Sequence, residues 1–456
     1  MMAITATTPV TPRLHVRTPK RNAWAVSLCA DLLAFSIGIG SCYTVRVFGE
    51  IPGCEVILIP FLPVLLAIHP DRIVRRRLLT MFALMGLWLL AQITTDIYRA
   101  TEMVNWAKGD ASICFFALDL AGLAVLLKQN LHRQKLFILG LALGSLLATK
   151  IDPNVYVAGS PWKFGYASGV MLLVILISCH FYHRRQFAIV GLLLVGITGV
   201  NLLLNFRSPV LFLLITAVLI LNLIPEQLLP PRGTNARIAI LVALVLCAGG
   251  AASFTVSSLA NSGALGPEAQ LKNQKQSGSG MGLLFGGRPE IFVSSRAVFD
   301  SPILGHGSWA RDMKYVDMLN DFASDHGMRP EGLEESEFQG LIPSHSHLMS
   351  AWVYAGVFGA IFWGYVFGLG VKALIRVATV LPPIAPLYVW MLVNFVFDVL
   401  FSPFGSLRRI TEAFVLVMVL DVLDILPSAV TSVKSKIRSK VAPSETGRAL
   451  SVNAPR

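Results

Sequence analysis

Twelve long apolar runs, separated by short polar segments, dominate the hydrophobic pattern of this 456-residue chain. The runs show neither the period of 2 nor the period of 3.6 residues that a half-buried strand or amphipathic helix would show. The hydrocarbon core of a bilayer is about 30 Å thick and takes about 20 apolar residues per helix. The pattern therefore predicts twelve membrane-spanning helices, at 23–45, 51–69, 78–97, 111–128, 135–149 (a short run), 164–182, 187–204, 208–224, 236–255, 346–371, 381–402 and 409–427.

One long hydrophilic segment, 256–345, separates the ninth apolar run from the tenth. Its first part is rich in Ser, Gly, Gln and Asn and reads as flexible. Proline just inside a helix start and glutamate in the first turn are helix-start signals, so Pro289 and Glu290 predict a helix over 291–299. We expect the acidic stretch 312–337 to lie on the surface.

The composition supports a membrane protein: 54% of the residues are hydrophobic and 14% are charged, against about 25% charged in soluble domains. A net charge of +12 in a soluble protein would suggest nucleic acid. Here the charges lie in short loops, so they report orientation in the bilayer, and we expect no nucleic-acid partner. The six cysteines form no CxxC or Cys/His zinc spacing.

The distribution of Lys and Arg orients the bundle, since cytoplasmic loops carry more of these residues than outer loops. With the N-terminus in the cytoplasm, 23 of the 38 fall on cytoplasmic segments, most clearly in 70–77. The sequence thus predicts an all-α integral membrane protein with cytoplasmic tails at both ends. Its parts are the tail 1–22, helices one to nine within 23–255, the outward-facing loop 256–345, helices ten to twelve within 346–427, and the tail 428–456.

Three basic residues on the predicted outer side, Arg207, Arg288 and His345, each stand at the start of a predicted helix. Backbone N–H groups at a helix start bind phosphate, and two arginines can hold a pyrophosphate through bidentate bonds. The helix dipole keeps a histidine there neutral, so that it can accept a proton from a hydroxyl. The alternatives are a snorkelling arginine for Arg207, a solvated one for Arg288 and an inert interfacial histidine for His345. His347 is a weaker rival for the role of His345.

No nucleotide-binding motif is present, so a lipid-linked donor fits two such arginines better than a nucleotide-linked one. No carboxylate cluster suggests a metal, and we expect neither a metal nor a cofactor. Three acidic residues, Asp31, Glu55 and Asp119, lie inside apolar runs. They are either ion-coupling sites of a transporter or partners of polar groups on neighbouring helices.

The spacing of these residues resembles that of the O-antigen ligase/polymerase superfamily. The family's glycine–arginine element and its Pro-x-x-Gly-x-Gly turn correspond to Gly287 and Arg288 and to Pro302, Gly305 and Gly307.

A histidine followed by Asn, Ser or Gln, nine residues, and a Gly-x-x-Gly pair corresponds here to His345-Ser346, Gly356 and Gly359. The family's outer arginine, usually in a Ser-Arg-Gly turn, corresponds to Arg207. The match there is looser, because its neighbours are Phe206 and Ser208.

The resemblance implies a metal-independent glycosyltransferase of the bacterial inner membrane, with the loop 256–345 in the periplasm. It would move a glycan from undecaprenyl pyrophosphate to an acceptor hydroxyl. Arg207 and Arg288 would bind the pyrophosphate and His345 would activate or orient the acceptor, with Gly287, Ser346 and His347 beside the substrate. The acceptor would be a growing glycan or the lipid A core, and other polysaccharide-assembly proteins are potential partners. Two hypotheses compete with this one: a transporter of a small anion or lipid-linked glycan, and a non-catalytic scaffold for polysaccharide export.

Overall fold

The computed structural model describes residues 20–46, 49–68, 75–153, 155–204, 206–221, 250, 254–255, 257–264, 266, 270, 289–325, 340–380 and 382–441. The described chain is mostly helical, with one two-stranded antiparallel ladder between β1 (Thr44–Arg46) and β2 (Glu50–Pro52). Before the long loop the helices are α1 (Lys20–Gly40), α2 (Gly53–Ile68), α3 (Arg76–Arg99), α4 (Met103–Leu127), α5 (Leu131–Ile151), α6 (Val155–Gly159), a π turn (Trp162–Tyr166), α7 (Ala167–His183), α8 (Phe187–Leu203) and α9 (Arg207–Ile220). From the loop onward they are α10 (Glu290–Asp300), α11 (Met313–Asp325), α12 (His347–Ala355), α13 (Val357–Val380), α14 (Ala385–Phe401) and α15 (Ser406–Val441).

Within the described residues, five helices are long and apolar enough to cross a membrane, and five more are apolar but shorter. The long ones are Arg76–Arg99, Met103–Leu127, Leu131–Ile151, Trp162–His183 and Val357–Ala378. A helical membrane protein is therefore supported. The count of twelve spans stays a prediction, and most of its ninth run, 236–255, lies outside the described residues.

The tenth predicted run, 346–371, is wrong as a single helix, because it breaks at Gly356 into α12 and α13. In a straight helix His347 and Trp363 would lie about 24 Å apart. Their ring centroids are instead 4.8 Å apart. A Cβ on Gly359 would lie 2.5 Å from the carbonyl oxygen of Ala351. α12 therefore doubles back along the first turns of α13 as a helical hairpin.

Glycine is required at the hinge of this hairpin. Gly356 has φ +65° and ψ −158°, a backbone region that is essentially restricted to glycine. A Cβ on Gly356 would lie 1.8 Å from the carbonyl oxygen of Ile303. The long loop thus packs directly on the hinge, backbone against backbone.

Ion pairs join helices at the end of the bundle where α3 begins. Arg77 forms a salt bridge with Asp424 of α15, and Lys128 donates to the same carboxylate at 2.9 Å. Asp421, one turn earlier in α15, accepts from Gln134 of α5 at 2.6 Å. Arg77 and Lys128 come from two different segments predicted to be cytoplasmic, so these two segments meet at one end of the bundle.

A small second core forms where α10, α11 and α12 pack together. Val293 and Ala297 of α10 contact Tyr315 and Leu319 of α11, and Val353 of α12 completes the cluster. We expected 312–337 to be exposed. That is wrong for Tyr315 and Leu319, because α11 is amphipathic and buries one face on α10; residues 326–339 lie outside the described chain.

Gly356→Ala should lower the free energy of unfolding by more than about 3 kcal/mol, because the methyl group adds both backbone strain and a steric clash. Thermal unfolding of the detergent-solubilised protein would measure the change. Gly364→Ala is the matched control, since a Cβ there meets no described residue within 4 Å. Equal melting temperatures for the two variants would contradict the requirement for glycine at the hinge.

Candidate functional site

The candidate histidine lies immediately before the first turn of α12, and two bonds fix that turn to the end of α14. Ser346 caps α12 by accepting from the backbone N–H of Met349 at 3.1 Å, and its hydroxyl donates to the carbonyl of Val399 at 2.9 Å. His347 contacts the carbonyl oxygen of Ser402 through Nδ1 at 2.6 Å. His345 is half-buried and directly precedes these two anchored residues. Their bonds to the end of α14 therefore hold the backbone of His345 in place.

His347 is fully buried, and both ring nitrogens face protein atoms. Its Nε2 lies 3.3 Å from Oε1 of Glu412 on α15. Trp363 and Phe404 pack against the ring, with centroids 4.8 and 5.4 Å away. Ser346 and His347, both predicted to contact substrate, thus have protein partners that fit an anchoring role.

The predicted Pro-x-x-Gly-x-Gly turn docks on the last turn of α12. The backbone N–H of His306 donates to the carbonyl of Val353 at 2.7 Å, and that of Gly307 donates to Tyr354 at 3.1 Å. Gly305 and Gly307 have φ of +81° and +94°. A Cβ on Gly305 would lie 2.6 Å from the hinge nitrogen of Gly356, so these glycines allow the close contact.

The same turn is fixed to the C-terminal end of α3. The carboxylate of Asp96 accepts from the backbone N–H of Ser308 at 2.6 Å, and Gln92 donates to the Ser308 hydroxyl at 2.8 Å. Arg99 donates to the carbonyl of Gly305 at 2.9 Å and to the hydroxyl of Ser301 at 2.8 Å. The turn therefore joins α3 to the α12–α13 hairpin.

Arg207 is the first residue of α9 and is half-buried. Five residues further on, Phe212 packs edge-to-face against Phe397 of α14, with centroids 4.8 Å apart. α9 and α12 therefore both pack on α14, which carries the anchors of His345. Gly287 and Arg288 lie outside the described residues, so convergence of both arginines with His345 stays a prediction.

The three carboxylates in apolar runs have different surroundings. Asp31 accepts from Arg133 of α5 at 2.8 Å. Glu55 accepts two bonds from Arg409 of α15, at 2.7 and 2.9 Å, and both side chains are buried. Asp119 is fully buried, and neither of its oxygens has a hydrogen-bond partner within the described chain. Helix-to-helix pairing thus accounts for the first two.

Sequence reasoning missed Asp96, Arg99 and Glu412. Asp96 and Glu412 are acidic residues inside predicted apolar runs. The same observation drew attention to Asp119, so it would have found both of them. Arg409 begins the predicted run 409–427, where a loop charge would be expected. It is buried within α15 and paired with Glu55.

The second core, formed by α10, α11 and α12, has a charged contact at the end of α10. Asp300 accepts from the Tyr315 hydroxyl at 2.8 Å and from Lys314 Nζ at 2.7 Å. These two bonds hold the pKa of Asp300 below its usual value. Burial, followed by the Asp300 carboxylate, raises the pKa of Tyr315. Tyr315 also packs edge-on against His306 of the docked turn.

Among the described residues, no group of three or more His, Cys, Asp and Glu side chains could hold a metal ion. No protein-family model matches the chain, and no curated protein matches it. The site is therefore interpreted from its geometry and its motif spacing.

Asp96→Ala should loosen the docked turn, because the buried N–H of Ser308 loses its acceptor at a cost of about 1–3 kcal/mol. Hydrogen exchange by mass spectrometry should show faster exchange over 305–308. Thr94→Ala is the control, since the exposed Thr94 hydroxyl donates to Leu90 of its own helix and has no other bond among the described residues. If the amides of 305–308 exchange as slowly in Asp96→Ala as in the wild type, the bond from Ser308 to Asp96 does not hold the turn.

Acidification should weaken the contact between α10 and α11. The pKa of Asp300 is lowered in the folded protein, so its stabilisation is complete above the ordinary aspartate value and is lost as the pH falls through the lowered value. Limited proteolysis within 313–325 should therefore accelerate in acid.

Asp300→Asn should remove this acid dependence, whereas Asp317→Asn, on the exposed face of α11, should keep it. If proteolysis of Asp300→Asn still accelerates in acid, a group other than Asp300 causes the acceleration.

Proposed function

We propose that this protein is a membrane glycosyltransferase that transfers or polymerises glycan from undecaprenyl pyrophosphate onto an acceptor hydroxyl. The observation that carries the proposal is the joint packing of three motifs of the family resemblance. The turn of Gly305 and Gly307 packs on the Gly356-x-x-Gly359 hinge through a backbone contact too close for a side chain. The His345-Ser346 pair directly precedes α12, the nine-residue helix that ends at this hinge and accepts backbone hydrogen bonds from the same turn.

The reaction assigned to this site is a displacement at the anomeric carbon of the donor. The acceptor oxygen forms the new C–O bond, and the bond to pyrophosphate breaks with its electron pair leaving on the lipid pyrophosphate. The hydroxyl proton passes to His345, and attack opposite the leaving group inverts the configuration. Arg207 and Arg288 stabilise the charge that develops on the pyrophosphate. The scheme requires no metal.

The proposed setting is the bacterial inner membrane, with twelve spans, both termini in the cytoplasm and the site at the periplasmic face. Two features of the fold support it. Segments predicted to be cytoplasmic meet at Asp424, near the start of α3. The docked turn from the predicted periplasmic loop contacts Arg99, at the opposite end of this 24-residue helix.

A second candidate function is ion-coupled transport, favoured by Asp119. A fully buried carboxylate without a hydrogen-bond partner is costly unless it holds a proton or a cation. Glu55 and Arg409 lie close enough to act on it electrostatically. Flipping or uptake by the purified protein, together with an absence of glycan transfer, would favour this function.

His345→Ala and Arg288→Ala should each abolish glycan assembly while the protein still inserts into the membrane. A general base contributes about 10²–10⁴-fold, and one donor aimed at the developing charge contributes about 10²–10³-fold. The measurement is a gel profile of surface glycans from a deletion strain complemented with each variant. His183→Ala, an exposed histidine at the end of α7, is the control and should restore the profile.

Normal glycan profiles in both variants would contradict the proposal. The deletion strain itself separates the two activities. Free lipid-linked polymer that no longer reaches lipid A core indicates a ligase, whereas accumulated single repeat units indicate a polymerase.

A further inference from the structure

The hydrogen bonds of His347 fix the number of protons it shares with Glu412. A carbonyl oxygen only accepts, so the 2.6 Å contact with Ser402 requires a hydrogen on Nδ1. The remaining nitrogen, Nε2, faces Oε1 of Glu412 at 3.3 Å. An imidazole lone pair and a carboxylate oxygen are both acceptors. One proton must therefore lie between them, on either side, and the pair as a whole is neutral.

The surroundings make loss of this proton costly. His347 is fully buried and Glu412 is 2% exposed. Oε2 of Glu412 has no hydrogen-bond partner within the described chain. Trp363 of α13 and Phe404 pack on the imidazole, and Phe116 of α4 packs on both of these aromatic rings. A lone anion in such an apolar site would have little solvation.

Two further charges act on the pair. Asp398 of α14 opposes a negative charge on Glu412, and Arg408 of α15 favours it. Arg408 forms a salt bridge with Asp398 at 2.7 Å, so the two effects largely offset each other. α13 and α4 contribute aromatic rings to this contact. The shared proton thus remains the main source of neutrality for His347 and Glu412.

The pair of His347 and Glu412 lies next to the proposed general base, His345, at the start of α12. His347 is the first residue of α12 and His345 lies two residues before it, with the capping serine between them. If the proton leaves, two acceptors face each other at 3.3 Å and repel. The imidazole then loses its contact with α15, and the first turn of α12 loses one of its anchors.

We infer that Glu412, through a proton shared with His347, is a positioning residue for His345. The inference rests on the proposed transferase function. Glu412 touches neither donor nor acceptor in this scheme, so its loss should lower kcat and leave KM nearly unchanged. Because the shared proton can be released, the positioning should fail as the pH rises.

Two substitutions separate the hydrogen bond from the titratable proton. Glu412→Gln places an amide N–H opposite Nε2 of a neutral imidazole, and this proton is not released at accessible pH. Glu412→Leu removes the partner and leaves Nε2 with an unpaired lone pair. We expect Glu412→Gln to keep kcat near the wild-type value and Glu412→Leu to lower it about tenfold or more.

The experiment uses purified full-length protein in detergent and lipid-linked donor extracted from the deletion strain. Consumption of donor is followed with membranes of that strain as the source of acceptor, between about pH 6 and pH 10. Melting temperatures are recorded over the same range. The wild type should lose both rate and melting temperature on the alkaline side, and Glu412→Gln should lack that loss.

An inactive Glu412→Gln that folds and inserts normally would overturn the inference, and so would an alkaline profile identical to that of the wild type. Full activity in Glu412→Leu would overturn it as well. If the wild type consumes no donor, the proposed function fails and the positioning role fails with it. The melting temperatures still report the shared proton in that case, so the two failures can be distinguished.

Discussion

The close contact between the carbonyl of Ile303 and the backbone of Gly356 is the constraint on which the docked turn and the α12–α13 hairpin depend. It fixes the hinge of the α12–α13 hairpin and holds the docked turn in place at the same time. Asp96 and Arg99 then attach that turn to α3. A side chain at the hinge would separate the hairpin, the docked turn and α3. The segment that carries His345 would then no longer be held in position.

The bundle and the contact between the docked turn and the hairpin are stabilised by different interactions. In the bundle, apolar side chains pack in a large cluster, and buried ion pairs such as Glu55 with Arg409 join helices that are far apart in sequence. At the docked turn, backbone hydrogen bonds and glycines bring loop and helix together. A pair buried in the bundle, Glu412 with His347, connects the two parts, because it links α15 to the first turn of α12.

The apolar runs made most of the helices predictable, since length and hydropathy decide which segments suit a bilayer. The start of α5 was missed because its first turn is polar and lies beside the ionic contacts of α15. Hydropathy could not show the break at Gly356, where the flanking residues are apolar on both sides and the cause is a distant carbonyl. The Gly-x-x-Gly spacing drew attention to Gly356 but did not predict that the helix reverses direction there. Contacts such as Asp96 with Ser308 join residues 212 positions apart, and one sequence does not pair them.

The hairpin also sets the depth of the candidate site. Trp363, which packs on His347, lies six residues into α13, or about 9 Å below the hinge along the helix axis. Ser346 and His347 at the start of α12 are correspondingly buried, and His345 is half-buried. Under the proposed function, this partial burial would limit the access of competing water to His345.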